Sequence, residues 1–290
     1  MYKTMRAWWT RAGDWRRRQP WQLWRAQLVA VLRLEFKHTL SLRRSGWIYL
    51  LAFAPVLAIL LHAMADRRFD PLSSDTDALA WVMQLYYVRL AIFFGTLGVF
   101  LRLIRGKMVN RSLHYLLLAP VRREVLLLGQ FLAGAATVLI LFEAATLASF
   151  AMMYGHHGMK GLEFVVQGPG ARHLGAYLLI TALAGLGYGA VFLLLSMLFK
   201  NPVPPAMLVM AWEALNPMLP ALAQRISVAS YLRHLMPVSV EARGFLALLM
   251  VTTEPVQPWL AVLGVLGVTL AVIVFSCYRM RSLQIDYSGE

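Results

Sequence analysis

A single cysteine among 290 residues, Cys277, rules out a disulfide framework within the chain. Charge is scarce as well. Charged residues make up 14% of the chain, where a soluble domain carries about 25%. Acidic residues are the scarcer sign, with 14 Asp and Glu against 28 Lys and Arg. Catalytic signatures are missing. No His-Glu-x-x-His appears, which removes the zincin type of metal helix, and no Gly-x-Ser-x-Gly elbow appears. Gly106-Lys107 is followed by Met108 and lacks the upstream glycine of a phosphate-cradling loop, so the chain has no ATPase motif of that kind. No long apolar run falls early enough for a cleavable signal, and no linker or strong internal repeat divides the chain.

What is abundant is apolar. The sequence is 59% hydrophobic, with a mean hydropathy of +0.60, more apolar surface than an ordinary core can hide. Runs near the twenty residues needed to cross a bilayer fall at Trp47–Ala65, Trp81–Ile104, Val125–Tyr154, Leu174–Phe199, Pro204–Ala223 and Trp259–Tyr278. The expected fold is all-α: a polytopic membrane protein of about six transmembrane helices. Pro217 and Pro220 lie near the end of the fifth run, where proline kinks or stops a helix. The chain reads as one membrane domain over 1–290, with a basic arm and interfacial helix in 1–46, the transmembrane region in 47–279 and a tail in 280–290.

Basic residues set the expected orientation. They crowd the segment before Trp47, the second-to-third connection (Arg105, Lys107, Arg111, Arg122, Arg123) and the tail (Arg279, Arg281). The alternate connection Asp66–Ala80 is acidic. Lys and Arg in short loops stay cytoplasmic, so both termini and Gly106–Arg123 are expected inside, with Asp66–Ala80 and Gln224–Pro258 outside. Arg225, Arg233 and Arg243 run against this scheme, spread over a long connection. The net charge of +14 thus tracks topology and anionic lipid, with no nucleic-acid partner. From Trp21 to Arg44 the pattern is helical, with Trp21, Leu28, Val29, Leu32, Phe36 and Leu40 on one side and Arg33, Lys37 and Ser41 on another. This predicts a helix lying in the membrane interface. In the last connection Ser230–Met236 and Val240–Val251 are helix-compatible, separated by Pro237, which predicts a helical hairpin or re-entrant segment.

Three charges fall inside the apolar runs: Arg89, Glu143 and Glu213. In the expected topology each lies about 12–17 Å deep, from roughly 8–11 residues at 1.5 Å each. Such residues need a partner or water. The expectation is that Arg89 pairs with Glu143 or Glu213 and that the other carboxylate faces a pathway, against the alternative of a pair that only locks helices together. His156 and His157, with Glu163 nearby, could ligate a metal, although adjacent histidines in a Gly-rich loop are ordinarily polar loop residues; no metal, catalytic or cofactor residue is assigned. Small residues at Gly129 and Ala133, Gly185, Gly187 and Gly189, and Gly264, Gly267 and Ala271 predict close helix packing within the subunit.

The basic, half-apolar segment between the second and third runs carries a resemblance. Asn110-Arg-Ser-Leu-His-Tyr-Leu-Leu-Leu-Ala-Pro-Val-Arg-Arg, followed by Leu-Leu-Leu-Gly-Gln-Phe-Leu, resembles a short signature of ABC-2 type transporter permeases. In that signature a hydroxyl residue and leucines precede a Pro–basic turn and a span opening with a Gly–polar–aliphatic stretch. Ser112, Leu116, Leu117, Pro120, Val121, Arg123, Leu128 and Gly129 match; where the family often has acidic residues before the hydroxyl, this chain has Lys107, Met108, Val109 and Asn110. The basic N-terminal helix, the six runs and the helical segment before the last run resemble the same family. The resemblance implies a permease subunit, by family habit an exporter, in the bacterial inner membrane. It implies a separate ATP-binding subunit, so that ATP is bound by the partner and no cofactor by this chain, and a second permease copy, identical or not. The segment 106–119 would couple to the ATPase through Arg111, Ser112, Leu113, Leu116 and Leu117. Two other classes stay open at this point: a polytopic membrane enzyme acting on a lipid-linked substrate, and a non-transporting membrane assembly anchor.

Overall fold

The computed structural model describes residues 20–39, 42–65, 71–109, 118, 121–216, 224, 227–238 and 257–281. Among the described residues all regular structure is helical. An interfacial-type helix, α1 (Trp21–Thr39), precedes α2 (Leu42–Ala65). Next come α3 (Leu72–Trp81), a π-helical stretch (Val82–Ala91) and α4 (Ile92–Val109), which follow one another without a break. Then come α5 (Arg123–Gly155), α6 (Met159–Val166), α7 (Gly170–Leu198), α8 (Val203–Leu215), α9 (Val228–Arg233) and α10 (Pro258–Arg281).

Among the described residues five stretches are long and apolar enough to cross a membrane: Ser45–Met64, Leu72–Met108, Arg123–Gly155, Gly170–Leu198 and Pro258–Arg281. The chain is therefore a multi-pass helical membrane protein. The fifth expected run is shorter in its described part. There α8 has 13 residues, about 20 Å at 1.5 Å each, and a hydrocarbon core is about 30 Å thick. Residues 217–223, the rest of that run, lie outside the described residues. The second run starts earlier than its hydropathy suggests. Residues 72–80, expected in a connection, are helical and continuous with the span, because Asp75 turns inward instead of to solvent.

The continuous Leu72–Met108 helix, α5 and α7 make the core, with 72, 67 and 61% of their spans buried, while α2 and α10 flank it at 22% each. The flanking helices turn large apolar side chains outward, Leu50, Leu57 and Leu61 on α2 and Leu263, Leu270 and Val274 on α10. Such faces suit lipid, not water. Inside, Phe93 meets Tyr188 and Phe192 edge-on at centroid distances of 5.3 and 4.9 Å. Some polar groups in the core join one helix to another. The Tyr87 hydroxyl donates to the Ala52 carbonyl at 3.1 Å and lies 2.9 Å from Ser149 Oγ, which joins three helices at one atom. Most of the small residues act within the chain, but Gly267 and Ala271 face outward, and a Cβ at Gly267 would meet nothing within 4 Å. A Cβ at Gly185 would stand 2.9 Å from Val138, and one at Gly189 would stand 2.6 Å from the Phe100 ring, so close helix approach requires glycine at both.

The N-terminal helix lies on α5. Its inward face is Trp24, Leu28, Val31, Leu32, Glu35 and Thr39, with Val31 and Leu28 over Gly129. Trp21 and Val29, expected on the apolar face, are 46 and 45% exposed. The face rotates because Glu35, nearly fully buried, pairs with Lys107 at the end of α4.

Candidate functional site

The three intramembrane charges come from three different helices, and the bundle brings two of them together. Arg89 and Glu213 line one small cavity, with Phe93, Tyr188, Met210, Ala214 and Ala229. Arg89 also lines a narrow adjoining recess with Gln84, Val88, Ala229, Leu232, Arg233 and Met236. The two share Arg89 and Ala229 as a common wall. Arg89 belongs to the π-helical stretch, whose wider turn is rare and is found often at functional sites.

Glu213 is built in. It stands near the end of α8 and faces the start of α9. One carboxylate oxygen accepts from the Val228 N–H at 3.1 Å; the other accepts from the Ala229 N–H at 3.1 Å and from the Ser227 hydroxyl. Ser227 Oγ in turn accepts from the Ser230 N–H at 3.0 Å and caps α9. The first amides of a helix have no partner of their own, and a carboxylate there is favoured by charge as well as by hydrogen bonding. The Arg89 and Arg233 charges both act on this carboxylate. Among the described residues Arg89 makes no ion pair within 4.0 Å, so its attraction to Glu213 acts across the cavity. Two guanidinium groups around one carboxylate leave the cavity walls positive on balance.

Glu143 is elsewhere. It lines neither recess and borders an exposed stripe formed by Ile140, Ala144 and Leu147 on α5. Its buried Oε1 has no hydrogen-bond partner among the described residues. Arg233 was not marked by the sequence as part of this site. It reads there as one charge on a long exposed connection, yet α9 folds back and half-buries it beside Arg89. Val240–Val251, the other expected helix of that connection, lies outside the described residues.

The residues expected to couple to an ATPase, Arg111, Ser112, Leu113, Leu116 and Leu117, also lie outside the described residues. Both flanks of their segment are fixed. Lys107 on its N-terminal side pairs with Glu35 of α1, and Arg122 on its C-terminal side places its guanidinium 4.2 Å over the Trp24 ring of the same helix. The neighbouring helix ends are tied too. Arg102 donates to Ser45 Oγ at 2.9 Å, and Arg281 pairs with Glu124 at 2.6 Å.

Among the described residues, one set can present three metal-ligating atoms together: Asp75, His156 and His157. The histidines are those singled out from the sequence, but their acidic neighbour is Asp75 of α3. Glu163, close in sequence, is exposed on α6 and outside the set. No protein-family model matches this chain, and no curated protein matches it.

Proposed function

We propose that this chain is the permease subunit of an ATP-driven ABC-2 type transporter, acting as an exporter in the bacterial inner membrane. Its termini and the 106–119 segment lie in the cytoplasm, a separate subunit binds and hydrolyses ATP, and a second permease copy faces this one across the pathway. One observation carries the reading: on either side of residues 110–120 the chain is fastened to the amphipathic helix α1, through Lys107–Glu35 and Arg122–Trp24. A push on that segment would be delivered at once to α4, α5 and α1. A soluble motor acting on a membrane bundle needs such a grip, and a passive connector does not. The charged cavity between the π-helical stretch and α9 gives the bundle a polar interior that an anchor has no use for. ATP binding would favour one of two arrangements of the bundle and so switch access.

The test is assembly with the ATPase. At three- and four-residue spacing Leu113, Leu116 and Leu117 would share a face of a helix. Replacing Leu113 and Leu117 with Asp should abolish copurification of the ATPase, or uncouple ATP hydrolysis from transport, while membrane insertion persists. Unchanged assembly together with unchanged transport would refute the reading.

A further inference from the structure

At the end of the bundle where α2 and α5 finish and α3 begins, four side chains converge from α2, α3 and the turn that follows α5. Asp75, in the first turn of α3, is 1% exposed. Its Oδ2 lies 2.8 Å from His157 Nε2 and 3.2 Å from His156 Nε2. Its Oδ1 lies 3.5 Å from His62 Nε2 at the end of α2. Burial grades outward: the Asp75, His157 and His156 side chains are 2, 5 and 12% exposed, and His62 is 44% exposed. The two adjacent imidazoles are stacked obliquely, 4.0 Å between centroids, so both aim at the one carboxylate. The chain is shaped for this. His156 ends α5 in helical conformation, and Gly158, at φ 59°, turns the backbone away into α6.

We propose that Asp75, His156 and His157 bind one divalent transition-metal ion of the zinc class, with His62 closing the fourth position from the rim. Spacing is the first support. Four ligands about 2.0–2.1 Å from a tetrahedral ion stand roughly 3.3 Å from one another. The separations of 2.8 and 3.2 Å from Asp75 Oδ2 to the two histidines are near that edge, and the three ligand atoms lie within 4.8 Å of one another; His62, 3.5 Å from the other carboxylate oxygen, would swing in from the rim. Ring orientation is the second. His156 Nδ1 faces the Met152 carbonyl at 3.5 Å; donation there leaves the Nε2 lone pair directed at Asp75 and an ion. Chemistry is the third. Three imidazole nitrogens and one carboxylate oxygen suit zinc, cobalt, nickel or copper, whereas calcium and magnesium take oxygen sets. A carboxylate this buried needs a cation or full hydrogen bonding, and histidines that ligate metals do so as neutral imidazoles. The ion would fasten the ends of α2, α3 and α5 to one another.

Tag-free full-length protein in detergent, stripped with a chelator, is titrated with Co²⁺ and then competed with Zn²⁺. The expected result is one equivalent of Co²⁺ per chain, with the visible spectrum of a tetrahedral nitrogen–oxygen site, displaced by one equivalent of Zn²⁺. The double variant His156→Gln/His157→Gln should weaken zinc binding by more than the roughly 10–100-fold that loss of an outer-shell partner costs. His62→Gln, on the half-exposed rim, should keep the elution profile of the wild type and change the cobalt spectrum. Wild-type protein that takes up no metal at micromolar free Zn²⁺ overturns the proposal, and the cluster is then an Asp–His hydrogen-bonded knot. So does equal binding by the double variant. If that variant does not fold, an octahedral cobalt spectrum of the wild type that His62→Gln leaves unchanged overturns it as well.

Discussion

Glu213 holds together two helices that share no long interface. Replacing it with Ala strands the Val228 and Ala229 amides and frees Ser227. Each hydrogen bond to a charged group is worth about 1.5–3 kcal/mol. Glu213→Gln should fall between wild type and Ala, because its NH₂ would meet a donor where the carboxylate now accepts. The check is the thermal unfolding midpoint in detergent, expected in the order wild type, Gln, Ala. At this scale the sequence reveals charge but not company. Arg89, Glu143 and Glu213 stand out because an ionised side chain is costly in an apolar run. That Arg89 and Glu213 share a cavity and Glu143 does not is set by helix rotation about the bundle. Asp75 gives no sign in the sequence that it meets His157, 82 positions away. It reads as one of several acidic loop residues until the helix extends back to include it.

At the level of elements, apolar periodicity locates the long helices well and their ends poorly. Arg123–Gly155 and Gly170–Leu198 fall within a few residues of the runs at Val125–Tyr154 and Leu174–Phe199, because length in an apolar run is itself the signal. The π-helical stretch Val82–Ala91 has no signature of composition and was not legible. The docking face of α1 was legible only in part, since a buried Glu35 contradicts any apolar stripe and is tolerated through Lys107. That pair gives a prediction. Lys107→Met leaves a buried carboxylate without its cation, a loss of about 3–5 kcal/mol for a fully buried pair and less here, where the lysine is 18% exposed. The double change Glu35→Leu/Lys107→Met should recover much of it. Protease cutting at Arg25, Arg33 and Lys37 reports the release of α1, expected fast in the single variant and slow in the double.

For the molecule as a whole, the proposed orientation rests on basic residues and is open to direct labelling. In a Cys277→Ser background, a cysteine at Ser112 should react with an impermeant thiol reagent only after permeabilisation. One at Ser74, at the opposite end of the bundle, should react in intact cells. Reaction at Ser112 in intact cells would invert the orientation. Class and architecture were legible at this scale because solvent selects them: a chain 59% hydrophobic and 14% charged folds as helices in lipid. The grouping of helices into a core of three and two flanks was not legible, because all five spans are strongly apolar and hydropathy does not tell lipid from protein.

The continuous helix from Leu72 to Met108 is a rod fastened at both tips. Asp75 ties one tip to α2 and α5, and Lys107 ties the other, on the order of 45 Å away, to α1. A rod clamped at two points cannot tilt alone: it either breaks a clamp or carries its partners with it. Helices α1, α2 and α5 therefore belong to the frame that stays together. The parts free to shift against that frame are α8 and α9, joined to each other by the Glu213 cap, whereas α10 is held to α5 through Arg281 and Glu124. The positive cavity opens along the seam between the two groups, so a sliding of one against the other changes its width before anything else in the protein.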